Sequence, residues 1–106
     1  MLVVSRFRVP LEEGEAFRED LQRALDALAE RPGHLGGTIG RNVDDPELWV
    51  LTTRWEHVGA YRRALSAYDV KLNAVPLLSR ALDEPSAYET VEPGTVLNAA
   101  SARDLG

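Results

Sequence analysis

A single apolar stripe narrows the possible folds of this chain more than any other feature. Between Glu12 and Glu30, Phe17, Leu21, Ala24, Leu25 and Leu28 recur at helical spacing, with charged residues filling the opposite side. Glu12, Glu13 and Glu15 stand where the helix dipole favours negative charge, and Arg31 stands at the other end. Pro32-Gly33 then stops the helix. One stripe means one buried face, so this helix is predicted to lie on a sheet.

The flanking segments supply the sheet. Leu2 to Val9 is rich in β-branched residues, lacks a breaker and ends at Pro10. A second strand is predicted from about Leu35 to Val43, with Gly36, Gly37 and Gly40 marking a bulge or a close backbone approach. Asp44-Asp45-Pro46 makes a turn into the strongest strand pattern, Leu48 to Glu56, so the two form a hairpin. Val58 to about Ala67 has helical composition, with Val58, Tyr61 and Leu65 on one face. A second helical piece follows, with Leu72, Val75, Leu78 and Leu82 in phase and Pro76 predicted to kink it or to start a new turn. Ser86 to Val91 is a short last strand. The order β-α-β-β-α-β is that of an α+β, ferredoxin-like domain: a four-stranded antiparallel sheet with its helices on one face. The domain spans residues 1–91, and 92–106 reads as a tail or an arm lying on a partner.

Length and composition agree. A chain of 106 residues makes one domain and buries roughly 65% of its unfolded surface, which leaves little material to enclose a deep cavity without a second subunit. The net charge of −5 argues against nucleic acid or an anionic membrane as the main partner. Without cysteine, disulfides, thiolate metal sites and cysteine nucleophiles are excluded, and a cytoplasmic location is expected. The apolar start is short and broken by Arg6 and Arg8, unlike a signal peptide, and no apolar run approaches the ~20 residues of a membrane span.

The strands say what the second face of the sheet does. In the third strand Trp49, Leu51, Thr53 and Trp55 point one way, and Leu48, Val50, Thr52 and Arg54 the other. In the first, Val3, Ser5, Phe7 and Val9 oppose Leu2, Val4, Arg6 and Arg8. A sheet facing water on one side alternates apolar and polar residues; here both faces are partly apolar. The economical cover for the second is the same sheet of another copy, giving a homodimer in which Arg6, Arg8, Arg41 and Arg54 need carboxylates such as Glu47, Glu56 or Glu89.

Three stretches carry a resemblance: Arg31-Pro-Gly-His-Leu-Gly-Gly37, Leu51-Thr-Thr-Arg-Trp-Glu56, and Tyr61, six residues after Trp55. With these the chain resembles the antibiotic biosynthesis monooxygenase family over about residues 2–91. The resemblance implies a dimeric α+β barrel. It also implies a cofactor-free monooxygenase that converts a small aromatic phenol and O2 to a quinone, in a dry pocket between sheet and helices. By position Trp55 and Tyr61 match the polar-tipped aromatics of such pockets. The asparagine that can stand four residues before the tryptophan is Leu51 here. The haem-degrading branch carries an Asn on strand one and a Trp and a His on the later helix; strand one here has no Asn, and the helical positions fall near Ala64 and Ala74.

Each candidate also has a plainer reading. Trp55 can wall a pocket or fill a core, and Trp49 fits core or dimer packing. Tyr61 and Tyr68, seven residues apart, can share a helical face that is core, or point a hydroxyl into a pocket. His34, at a helix-to-strand turn, can brace the loop or take a substrate proton, and His57 fits a helix cap. Phe17, Leu51, Tyr68 and Asn73 complete the expected substrate pocket. No metal site is expected, since two isolated histidines lack carboxylates at ligand spacing. Neither a phosphate loop nor a Gly-x-Ser-x-Gly elbow occurs. Two rivals stay open: an isomerase, cyclase or haem handler on the same dimeric fold, and a non-catalytic ligand-binding or interaction domain.

Overall fold

In the computed structural model, which describes residues 1–97, the elements are β1 (Leu2–Arg8), a 3-10 turn (Leu11–Glu13), α1 (Gly14–Ala29), β2 (His34–Arg41), β3 (Leu48–Trp55), α2 (Val58–Ser66), α3 (Tyr68–Asn73), α4 (Val75–Leu78) and β4 (Ala87–Tyr88). The strands pair antiparallel in the order β2-β3-β1-β4, the arrangement of the ferredoxin-like fold. Residues 98–106, most of the expected tail, lie outside the described residues. Among the described residues no helix is long and apolar enough to cross a membrane.

The helices cover the face of the sheet that carries Val3, Ser5 and Phe7 on β1 and Trp49, Leu51, Thr53 and Trp55 on β3, all buried. Phe17, Leu21, Ala24, Ala27 and Leu28 of α1 close on this face. Phe17 packs between Phe7 and Trp49, with ring centroids 5.2 and 5.4 Å away. Burying a side chain of this size stabilises by roughly 1.5–3 kcal/mol, so α1 is held by its stripe. Two glycines allow the close fit. A Cβ on Gly37 would lie 2.5 Å from Leu25 Cδ1, and one on Gly33, whose φ is +90°, would lie 2.5 Å from Ala60 Cβ. The turn leaving α1 therefore rests against α2, which packs through small buried side chains, Ala60 and Ala64. That differs from the predicted α2 face: Val58 is exposed, and Tyr61 and Leu65 are half-buried.

The other departures have local causes. The second helical region is two short helices. Ala67 is extended (φ −70°, ψ 140°), and Ala74 interrupts again before Pro76, which sits in the first turn of α4, where its missing N–H costs nothing. β4 is two residues long. It meets Val3 and Leu2, and the last ladder bond is Val4 N–H to Ser86 O. The next residue of β1 that bonds on this edge, Arg6, accepts from Leu82 N–H instead of from a strand partner. β2 begins at His34 with a bulge between His34 and Gly36.

Candidate functional site

Because the ladder with β4 reaches only as far as Val4 and Ser86, the edge of β1 beyond Val4 is covered by a loop instead of a strand. Residues 79–86 span that edge, fastened by Leu82 N–H to Arg6 O (2.8 Å) and Val4 N–H to Ser86 O (2.7 Å). Between the loop, β1 and the helical layer lies a cleft of about 400 Å³, with Ser5, Tyr61, Leu78, Leu82, Asp83 and Glu84 on its wall. At the mouth Arg6 grips Glu84 with two charge-assisted hydrogen bonds, Nε to Oε2 and a terminal guanidinium N–H to Oε1, each 2.7 Å. The hydrogen bond from Arg6, together with its charge, holds the Glu84 carboxyl below its ordinary pKa.

Three of the predicted residues come together as a row of rings. His34 stands edge-on to Trp55 at 5.0 Å, and Trp55 meets Tyr61 at 5.6 Å. Their positions differ. Trp55 is fully buried and donates its indole N–H to Thr53 Oγ1 at 2.8 Å, so both polar atoms of that pair are satisfied inside the core. Tyr61 is the member of the row on the cleft wall. Burial pushes its phenol up from the ordinary value, so it remains an O–H donor at neutral pH. His34 is at the far end of the row and off that wall; its Nε2 is buried without a hydrogen-bond partner, as is Arg31 Nε.

His34 makes a prediction. Desolvation, and then the charge of Arg54, lower its pKa from the ordinary 6.5. The unfolded chain therefore takes up the proton before the folded one does, and the stability present above 6.5 is lost as the pH falls toward the folded value. His34→Gln removes this uptake. The urea midpoints of wild type and variant are expected to converge as the pH drops from about 7 to about 5; parallel midpoints would show that the histidine titrates as it does in the unfolded chain.

The other expected pocket residues lie elsewhere. Phe17 is inside the core, off the cleft wall. Leu51 is buried on β3 opposite Ser5. Tyr68 is 79% exposed: the extended residue Ala67 resets the helical phase, so seven-residue spacing does not bring Tyr61 and Tyr68 onto one face. Asn73 donates its amide to Asp69 O and lines a different groove, with Asp20 and Arg23 of α1. Ala64 and Ala74 are both buried. His57 caps α2, its Nδ1 accepting the Ala60 N–H. Among the described residues no group of three His, Asp or Glu could hold a metal ion.

A model of the antibiotic biosynthesis monooxygenase family matches residues 1–71, two thirds of the chain, including Ser5, His34, Trp55 and Tyr61. The chain belongs to the antibiotic biosynthesis monooxygenase family. Solved structures with the same fold include SnoaB, a cofactor-independent oxygenase from Streptomyces nogalater. It is 24% identical with a TM-score of 0.71, over 86% of this chain and 91% of that one. An asparagine-to-alanine variant of SnoaB is 27% identical with a TM-score of 0.65, over 76% of this chain and 82% of that one. A conserved protein from Methanosarcina mazei Go1 is 20% identical with a TM-score of 0.66, over 81% of this chain and 84% of that one. No curated protein matches the chain. Membership in the antibiotic biosynthesis monooxygenase family supports a monooxygenase-type function.

Proposed function

We propose that the chain is a cofactor-independent monooxygenase that converts a small aromatic phenol to a quinone with O2, acting as a homodimer in the cytoplasm. The observation that carries this reading is the cleft of about 400 Å³ with the Tyr61 phenol on its wall and the Trp55 ring packed behind it. A protonated hydroxyl at that place donates to the substrate oxygen and favours its anion. The anion reduces O2 and combines with it at an activated ring carbon. The peroxide then breaks its O–O bond: one oxygen stays as the new carbonyl, and the other leaves as water with the hydrogen of that carbon and the proton given up by the phenol hydroxyl. Tyr61 touches the substrate, Trp55 fixes the Tyr61 ring, and His34 braces Trp55 from the turn after α1. The match with SnoaB, an oxygenase described as cofactor-independent, supports the reaction class.

The homodimer reading rests on the open face of the sheet. Leu2, Val4, Leu48 and Val50 are only half-buried there, beside an apolar hollow of about 220 Å³. Arg6 and Arg8 find carboxylates in Glu84, Asp45 and Glu47, and Arg41 lies 5.5 Å from the centre of the Trp49 ring. Arg54 makes no ion pair among the described residues. Sedimentation equilibrium at micromolar concentration is expected to give twice the 11.7 kDa chain mass; a monomer would remove the dimer.

A competing reading, a non-catalytic ligand-binding domain, is favoured by Leu51, an apolar buried side chain where a polar one would serve catalysis. Oxygen uptake with an anthrone-type substrate separates the two. Uptake that needs the protein and yields quinone supports the oxygenase; a ligand bound without uptake supports the binding domain.

A further inference from the structure

The helix-facing rows of β1 and β3 hold two buried polar side chains, Ser5 and Thr53. Placing a hydroxyl in an apolar layer is unfavourable unless it is hydrogen-bonded. Thr53 is accounted for, because its Oγ1 accepts the indole N–H of Trp55. Ser5 is not. Its neighbours along the row are Val3 and Phe7, its cross-strand partner is Leu51, and its hydroxyl makes no hydrogen bond with any described residue. Nor is that oxygen sealed: among the described residues the buried, unpaired side-chain atoms are Arg31 Nε and His34 Nε2, and Ser5 is on the wall of the cleft that also holds Tyr61. The residue is 7% exposed, and the cleft is where that exposure leads.

We infer that Ser5 is a second substrate-binding hydroxyl, donating from the sheet while Tyr61 donates from the helical layer, so that the cleft selects aromatic rings bearing two oxygen functions over rings bearing one. This rests on the cleft being the phenol site proposed above. Two hydroxyl donors on different walls fix the ring at two points, which orients it as well as holding it. A ring with one oxygen leaves one of them unpaired in a half-closed site.

Isothermal titration of the full chain with a dihydroxynaphthalene and with naphthol tests this without turnover. The wild type is expected to bind the dihydroxy compound on the order of tenfold tighter. Ser5→Ala is expected to erase that preference, weakening the dihydroxy compound and removing the unpaired hydroxyl that disfavours naphthol, and Ser5→Thr, which keeps the hydroxyl, to restore it. Equal affinities in the wild type, or a preference that survives Ser5→Ala, would overturn the inference. So would the absence of binding by either compound, which would remove the phenol site as well. A Ser5-dependent preference in a protein that consumes no oxygen would sustain the inference and sink the oxygenase.

Discussion

Tyr61→Phe is expected to fold as the wild type does and to consume oxygen with a phenolic substrate on the order of 10²–10³-fold more slowly. That is the usual cost of deleting one preorganised donor to a developing anion. The change removes a single oxygen atom. The ring that packs 5.6 Å from Trp55 stays, so stability serves as the internal control. The loss should fall mainly on kcat, because the hydrogen bond is strongest once the substrate is an anion. The pH profile gives a second readout. Burial raises the Tyr61 phenol above the ordinary 10.0, so the donor is intact below that value and is lost only as the pH rises through the higher folded value. In the Phe variant the alkaline fall caused by this ionisation is absent. Undiminished uptake with an unchanged alkaline limb would remove Tyr61 from the reaction.

Trp55→Ala is the substitution with the largest expected effect on stability. The indole is fully buried, contacts His34 and Tyr61, and spends its N–H on Thr53. Truncating a buried tryptophan to alanine costs about 3–5 kcal/mol. The total stability of a domain this size is about 5–15 kcal/mol, and each kcal/mol moves the midpoint by about 4–8 °C. A fall in Tm on the order of 20 °C by calorimetry is therefore expected. Thr53→Val tests the hydrogen bond alone: it keeps the shape but leaves the indole N–H buried and unpaired, at about 1–3 kcal/mol. A Trp55→Ala midpoint within a few degrees of wild type would mean that the ring row is not structural.

The parts of the molecule legible in the sequence were those written in periodicity. The α1 stripe predicted both the helix and its buried face, and alternation on β3 put Trp49, Leu51, Thr53 and Trp55 on one side, where they are buried. The parts that were not legible depend on residues that only the fold brings together. Tyr61 and Tyr68 looked like one helical face until Ala67, an unremarkable residue in the sequence, took an extended conformation. The cleft arises where the ladder between β1 and β4 ends at Val4 and Ser86, residues some eighty positions apart in the chain. Ser5 itself was visible as the polar member of the row Val3, Ser5, Phe7, Val9, a signal that reads as a flaw in a strand until something polar is found beside it. The carboxylate that meets Arg6 is Glu84, on a segment with no periodic pattern to advertise it.

The loop over the β1 edge divides the chain's freedom to change. The family model ends at residue 71, so segment 79–86, which closes the outer wall of the cleft, is beyond the span the family match defines. That segment is fastened to β1 by two backbone hydrogen bonds and an exposed ion pair, and at its start Arg80 lies 5.2 Å over the Phe17 ring of the α1 stripe and Ala81 packs against the core. Its outer part, residues 83–85, can be lengthened, shortened or recharged while the scaffold that holds Ser5, Trp55 and Tyr61 stays as it is. On the reading proposed above, the outer wall of the cleft and the stability of the fold thus rest on different stretches of the chain, and a graft confined to 83–85 varies the one without disturbing the other.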